Sequence, residues 1–311
     1  MRRPRRRFTL VEVLVSVSLG LILVGVVAAL FQQSSTAGER VNDSLTRALH
    51  LDAAWLELRG GAQRAVAVGE LADFLRVEQR EVELAGAPTR LDLCEWVELD
   101  PAGHLDRVRF EVEWNAVQER GLLWRQRQPV EASELPLELR RLASSRPPEA
   151  KLLVTGVTAL RIQVVTEAGL EEAPLSPPPD WCDRFRCEGT ATGVLHDRLT
   201  LGAAAAPGVS RSQLLYLSDD RVGPPRFPQG YYWVAGCVGD QLTLSTRVGL
   251  AKPVAYRGAY LPAALRIELQ AGATKGRVTL RFPGPGENAG LQLAGDQLGV
   301  VTPEPHKAEA Q

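Results

Sequence analysis

From Val13 to Phe31 every position is apolar except Ser16, Ser18, Gly20 and Gly25. Written as a helix from Val11 to Phe31, this run rises about 30 Å, the thickness of one hydrocarbon core. A polar patch, Gln32 to Gly38, follows, and helical periodicity then returns. Val41, Leu45, Ala48, Leu49, Leu51, Trp55, Leu56 and Leu58 gather on one broad half of a helical wheel, opposite Asn42, Asp43, Thr46, His50 and Glu57. Gly60-Gly61 is the predicted stop. Asp52 falls inside the apolar arc and is expected to be capped or exposed at its rim rather than to serve in binding. The pattern predicts one long helix, a membrane-spanning half followed by an amphipathic half that lies on a globular domain.

Beyond Gly61 the period changes from helical to alternating. Arg107 to Trp114 alternates cleanly and reads as a half-buried strand, with Gly121 to Arg127 as its hairpin partner. Further strands are predicted at Glu81–Leu84, Leu91–Leu99, Leu160–Val165, Arg198–Leu201, Gln213–Leu217, Tyr231–Val238, Gln241–Thr246, Leu265–Leu269 and Arg277–Phe282. Many short strands punctuated by Gly and Pro, after one long helix, predict an α+β protein with antiparallel sheet.

Composition adds little and charge adds one point. The chain has 311 residues, 45% hydrophobic and 23% charged, enough to bury a real core, and its net charge of -1 favours no acidic partner. The exception is local. Arg2, Arg3, Arg5, Arg6 and Arg7 precede the apolar run with no acid among them. Basic residues beside a membrane segment stay on the cytoplasmic side, which places the bulk of the chain outside. A cleaved secretory signal would have an apolar core of about 7–15 residues, shorter than this one. An ordinary signal anchor accounts for everything except Glu12, an acid at the entry of the apolar run. Such a charge in hydrocarbon costs about 2.5–3.5 kcal/mol even on mild scales, unless it is paired or near the interface.

Phe8-Thr9-Leu10-Val11-Glu12-Val13-Leu14-Val15 resembles the signal motif of type IV pilins and type II secretion pseudopilins. The resemblance implies that a prepilin peptidase cuts between Arg7 and Phe8, that Phe8 is then N-methylated, and that Glu12 is retained as the fifth residue of the mature chain. A retained acid is tolerable where a partner exists, and the amine freed on a neighbouring subunit would be one. The motif departs from the family at Arg7, where Gly is usual; a bulky cation fits poorly in a site built for Gly. Three weaker blocks, Arg107–Arg127, Leu152–Val165 and Leu261–Phe282, are similar in order to PilW-type minor pilins and J-type pseudopilins. Where that family passes quickly from the second block to the third, this chain carries Glu171 to Tyr256, with Pro174 to Pro179 as a stiff entry. The expected organisation is a cytoplasmic leader (1–7), the helix (8–62), a pilin-like β domain (63–170), an inserted β-rich lobe (171–256), the last strands of the pilin-like domain (257–282) and a loosely ordered tail (283–311).

Cys94, Cys182, Cys187 and Cys237 would all lie outside the cytoplasm, where disulfides form. Cys182 and Cys187 are close enough in sequence for a small loop bridge, which would leave Cys94 for Cys237, but four cysteines allow three pairings. Zinc is the rival, without a Cys-x-x-Cys or a paired His; free buried thiols are the third reading. His50, His104, His196 and His306 are scattered, and no nucleophile elbow, phosphate loop or zinc-protease motif is present. No catalytic residue, metal or cofactor is expected. Arg76, Arg80 and Arg90 interleave with Glu78 and Glu81 and read as a solvated mixed-charge face. Tyr231, Tyr232 and Trp233 read as strand core rather than a recognition surface.

The expected function is therefore structural: a subunit of a type IV pilus or type II secretion pseudopilus, held in the inner membrane by one pass and partnered by other pilins through its N-terminal helix. Two alternatives stand beside it. One is an unprocessed single-pass envelope protein with a binding role, which Arg7 favours. The other is a DNA-uptake minor pilin, which would need a basic face that the sequence does not display, so nucleic acid is not an expected partner.

Overall fold

The computed structural model describes residues 10–84, 87–115, 120–166, 168–175, 181–219, 224–272 and 274–284. The chain divides into two compact units, Met1–Leu49 and His50–Gln311. The α-helix α1 (Leu10–Arg64) supplies all of the described part of the first and opens the second. The fold is α+β, one long helix with large antiparallel sheets.

The second unit begins with the last turns of α1. Leu51, Ala54, Trp55, Leu58 and Ala62 are buried, at steps of three and four residues that put them on one face. Asp52 is exposed, as its rim reading requires. The helix passes through Gly60-Gly61, the predicted stop, and ends at Arg64. Close approach explains Gly61. A Cβ there would lie 2.5 Å from Glu98 Oε1 and 3.2 Å from Trp96 Cζ2, so this glycine lets the helix settle on the strand beneath. Val66 then donates its N–H to Val97 O at 2.8 Å, carrying the chain directly into the sheet core.

Eight strands follow: β1 (Leu75–Glu78), β2 (Glu81–Leu84), β3 (Ala87–Arg90), β4 (Leu93–Leu99), β5 (Leu105–Asn115), β6 (Arg120–Pro129), β7 (Glu149–Thr166) and β8 (Gly169–Glu172). The next eight are β9 (Arg186–Ala191), β10 (Gly193–His196), β11 (Arg198–Thr200), β12 (Leu214–Ser218), β13 (Gly230–Val238), β14 (Gln241–Leu244), β15 (Gly249–Ala251) and β16 (Val254–Ala259). Two more close the chain, β17 (Ala264–Ala271) and β18 (Thr274–Arg281). The first sheet has the order β1-β4-β5-β6-β7-β17-β18, with β8 also on β7. The second has the order β15-β10-β11-β14-β13-β12-β16-β9, and β2 and β3 form a separate hairpin. Ile162 of β7 pairs with Ile267 of β17, so strands about one hundred residues apart in sequence are neighbours, and all of β9 to β16 lies between them in the chain.

Every residue of β4 is buried, including Glu95 and Glu98. Such carboxylates survive burial only when paired. Glu98 accepts from Arg64 Nη2 at 2.9 Å and Trp96 Nε1 at 3.2 Å, with Arg125 Nη2 3.5 Å away. Asp92, fully buried, accepts from Arg90 Nε at 2.7 Å and from the Ile162 N–H at 2.7 Å. Burial raises the Asp92 carboxyl above its ordinary range even so, because desolvation outweighs both bonds.

The two sheets have separate cores that share walls. Tyr232 and Val234 of β13 point into the second core, while Tyr231 and Trp233 of the same strand pack on the first. This is the strand-core reading of the aromatic run, with period two dividing it between both cores. Gly276 of β18 faces α1: a Cβ there would meet Trp55 Cζ2 at 2.8 Å and Leu51 Cδ2 at 3.0 Å. Gly276→Ala is expected to lower unfolding free energy by about 1–3 kcal/mol, since a rigid indole must shift. Gly236→Ala, whose new Cβ meets no atom within 4 Å, is the matched control, and chemical denaturation in detergent measures both.

Candidate functional site

The apolar head of α1 is the feature that sets this chain apart from an ordinary globular domain. Leu10, Val11, Leu14, Val15, Val17 and Leu19 through Phe31 present apolar side chains on every side of the helix, each large one 54–80% exposed. From Leu10 to Phe31 the rise is about 33 Å, one bilayer core. Within the helix Ser18 Oγ donates to Leu14 O at 2.9 Å, and Thr36 Oγ1, in the polar patch beyond, donates to Gln32 O at 3.0 Å. This N-terminal helix is long and apolar enough to cross a membrane. Glu12 lies in its first turns, although its side chain, like Arg7, Phe8 and the leader, lies outside the described residues. Pro177 to Pro179 and the tail from 285 onward lie outside them too.

The amphipathic half differs from its predicted form. Val41, Leu45, Leu49 and Leu56 are 57–68% exposed. At about 100° per residue these four make a second stripe, well over 90° from the middle of the buried one. A broad half-wheel merged two faces, and only the face beginning at Leu51 covers the sheet.

The cysteines require a correction. All four are free thiols. Cys182, in a short 3-10 helix, belongs to the first core, where its Sγ donates to Leu75 O at 2.8 Å. Cys187, five residues on, belongs to the second core, with its Sγ 3.2 Å from Ser212 Oγ. The chain passes from one core to the other between them, so the short spacing does not bring the sulfurs together. Cys94 is enclosed in β4, and Cys237 lies on β13 of the other sheet near Gly239 O. Burial pushes the Cys94, Cys182 and Cys187 thiols up, away from thiolate chemistry.

Arg76, Arg80, Glu78 and Glu111 do form a mixed-charge network, with Arg76 2.6 Å from Glu78 and Arg80 3.3 Å from Glu111. Arg90 leaves that group for Asp92 and Glu172. His50 and His196 are exposed, His104 lies 3.7 Å from Asp100, and His306 is outside the described residues. Among the described residues no three His, Cys, Asp or Glu are grouped to hold a metal.

One cluster is absent from the sequence reading. Tyr231 donates its hydroxyl to Glu70 Oε1 at 2.6 Å, Arg257 Nε lies 3.4 Å from the same oxygen, and the Arg257 guanidinium sits 4.4 Å from the Tyr216 ring centre. Burial, then the Glu70 carboxylate, push the Tyr231 hydroxyl up, so it stays a donor. Glu70, Tyr231 and Arg257 line a cleft of about 400 Å³. Glu70 follows α1 while Tyr216, Tyr231 and Arg257 stand on the second sheet, and no local motif joins positions so far apart. The arrangement ties the second sheet to the loop after the helix. No protein-family model matches the chain, and no curated protein matches it.

Two outcomes are expected. Unfolded without reductant, protein from native membranes should react with maleimide at four thiols; two or none would restore a disulfide framework. A chain beginning at Gly38 should be soluble without detergent and unfold cooperatively, because sheet packing starts only at Leu51. Aggregation of that chain would mean that residues 1–37 contribute to folding.

Proposed function

We propose that the chain is a minor pilin or pseudopilin, a structural, non-enzymatic subunit of a type IV pilus or type II secretion pseudopilus. The observation that carries this reading is Phe8-Thr9-Leu10-Val11-Glu12-Val13 at the head of an apolar helix. A membrane anchor has no need of an acid at that point, whereas a helix that must also pack against its neighbours does. In this reading prepilin peptidase cuts between Arg7 and Phe8, and the Glu12 carboxylate pairs with the amine of an adjacent subunit. The arginines of the leader hold the N-terminus in the cytoplasm, so the chain crosses the inner membrane once and its second unit lies outside.

The remaining architecture agrees with that reading. The last turns of α1 lie on an antiparallel sheet, and the chain leaves that sheet after β8 and rejoins it at β17. Residues 171–256 are then a β-rich lobe inserted into a pilin-like sheet. Arg7 favours a second reading, an unprocessed anchor that holds the same two cores at the membrane surface.

Mass spectrometry of protein recovered from membranes separates the two. The expected N-terminus is a methylated Phe8. Glu12→Ala should leave membrane insertion unchanged and reduce recovery in sheared filaments at least tenfold. An intact Arg2–Arg7 segment on assembled protein would overturn cleavage and the pairing role of Glu12 together.

A further inference from the structure

The outward face of β7, β17 and β18 gathers cations that the sequence scatters. Leu265, Ile267 and Leu269 of β17 point into the core, and Arg266, Glu268 and Gln270 point the other way. Register then sets cross-strand rows on that outer face: Ala159, Gln270 and Lys275; Arg161, Glu268 and Arg277; Gln163, Arg266 and Thr279; Val165, Ala264 and Arg281. Arg90 joins from β3 through Glu172 of β8, at 2.6 Å. Six cations meet four carboxylates here, Asp92, Glu172, Glu268 and Glu81, which stands opposite Arg90, a local excess of two positive charges on a chain of net charge -1. Arg90 and Arg161 share Glu172, which the Arg161 hydrogen bond, with help from Gln163 and Arg90, holds down at about 2 despite some burial. Arg277 pairs with Glu268 at 2.7 Å and keeps its side chain 61% exposed. Arg266, Lys275 and Arg281 make no ion pair among the described residues.

We infer that this face binds the phosphate backbone of a nucleic-acid duplex without reading its sequence. Strands about 4.8 Å apart and rows about 6.8 Å apart give a flat field roughly 10 Å by 20 Å. Arginine, five of the six cations, matches phosphate oxygens with paired donors. A groove of about 440 Å³, lined by Arg90, Arg161, Lys275 and Arg277 with the single carboxylate Glu268, gives a phosphate four cations against one acid. The strands β7, β17 and β18 carry no aromatic ring on this face, which single strands need for stacking, and among the described residues no helix stands on it to enter a major groove. Its exposed large apolar side chain is Leu170 of β8, at the edge opposite Val165, and a single leucine is a weak hold on a bilayer. Contacts to phosphate alone remain, and these confer affinity without specificity. This surface is independent of the filament reading.

The test uses the full chain in uncharged detergent and a fluorescein-labelled duplex of random sequence, with anisotropy read from 50 to 200 mM salt. The expected result is salt-sensitive binding. Replacing Arg266, Lys275 and Arg281 together by Gln should reduce the slope of log affinity against log salt by about 2.7, so that the wild-type chain loses about 40-fold more affinity than the variant over that range. Glu268→Gln, which releases Arg277, should tighten binding; it keeps the inference falsifiable if the triple variant does not fold. Arg198→Gln with Arg247→Gln, exposed cations on β11 and on the loop between β14 and β15, should change nothing. Absence of salt-sensitive binding, equal loss in the Arg198/Arg247 control, or weaker binding by Glu268→Gln would overturn the inference. Binding to vesicles of anionic phospholipid with none to the duplex would overturn it in favour of a membrane surface.

Discussion

The second unit depends on how closely one helix face approaches one sheet. Trp55 lies where Gly276 leaves room for an indole, and Gly61 lets the helix backbone come down beside Trp96 and the paired carboxylate of Glu98. Trp96 in turn packs against Phe110 and Phe282, with ring centres 5.0 and 5.8 Å away. Interiors are close-packed, so these contacts are either all made or strained together. They hold the last turns of α1 in place, and those turns deliver Arg64 to Glu98. Without the two glycines the helix would stand off the sheet and leave a buried carboxylate without its nearest partner.

The same logic joins the two sheets of the second unit. Over Tyr231 to Val234, β13 has no face to give to water; its alternate residues there fill two cores. A strand that serves both cores couples their packing directly, and the Tyr231–Glu70–Arg257 cluster adds polar bonds at the edge of that contact. Half-burying a tyrosine hydroxyl and a carboxylate is tolerable because each satisfies the other. The chain between β8 and β17 is therefore anchored at both ends by strands of the first sheet and along β13 by shared apolar packing.

Charge is segregated by depth. Asp92, Glu95, Glu98 and Asp106 are buried, each close to an arginine, while Arg266, Lys275, Arg277 and Arg281 stand on an outer face. Sinking the acids and leaving cations outside makes a nearly neutral chain locally basic. That separation, rather than net charge, sets which partners the surface attracts.

The sequence by itself determined the elements with strong local periodicity. The apolar run to Phe31 announces a membrane-length helix, and Arg107 to Trp114 announces a half-buried strand whose inward residues match those of β5. Strands such as β9, β10 and β16 escaped because they are short and hold glycine or polar residues; only pairing makes them strands. Tertiary structure alone decided the rest. It placed Leu56 outside and Ala54 inside, since a wheel shows which residues share a face but not which face meets a sheet. It put Cys182 and Cys187 in different cores, because five residues suffice for the chain to cross between them. It gathered Arg90, Arg161 and Arg277 through strand register, a non-local pairing across nearly two hundred residues that no local pattern encodes.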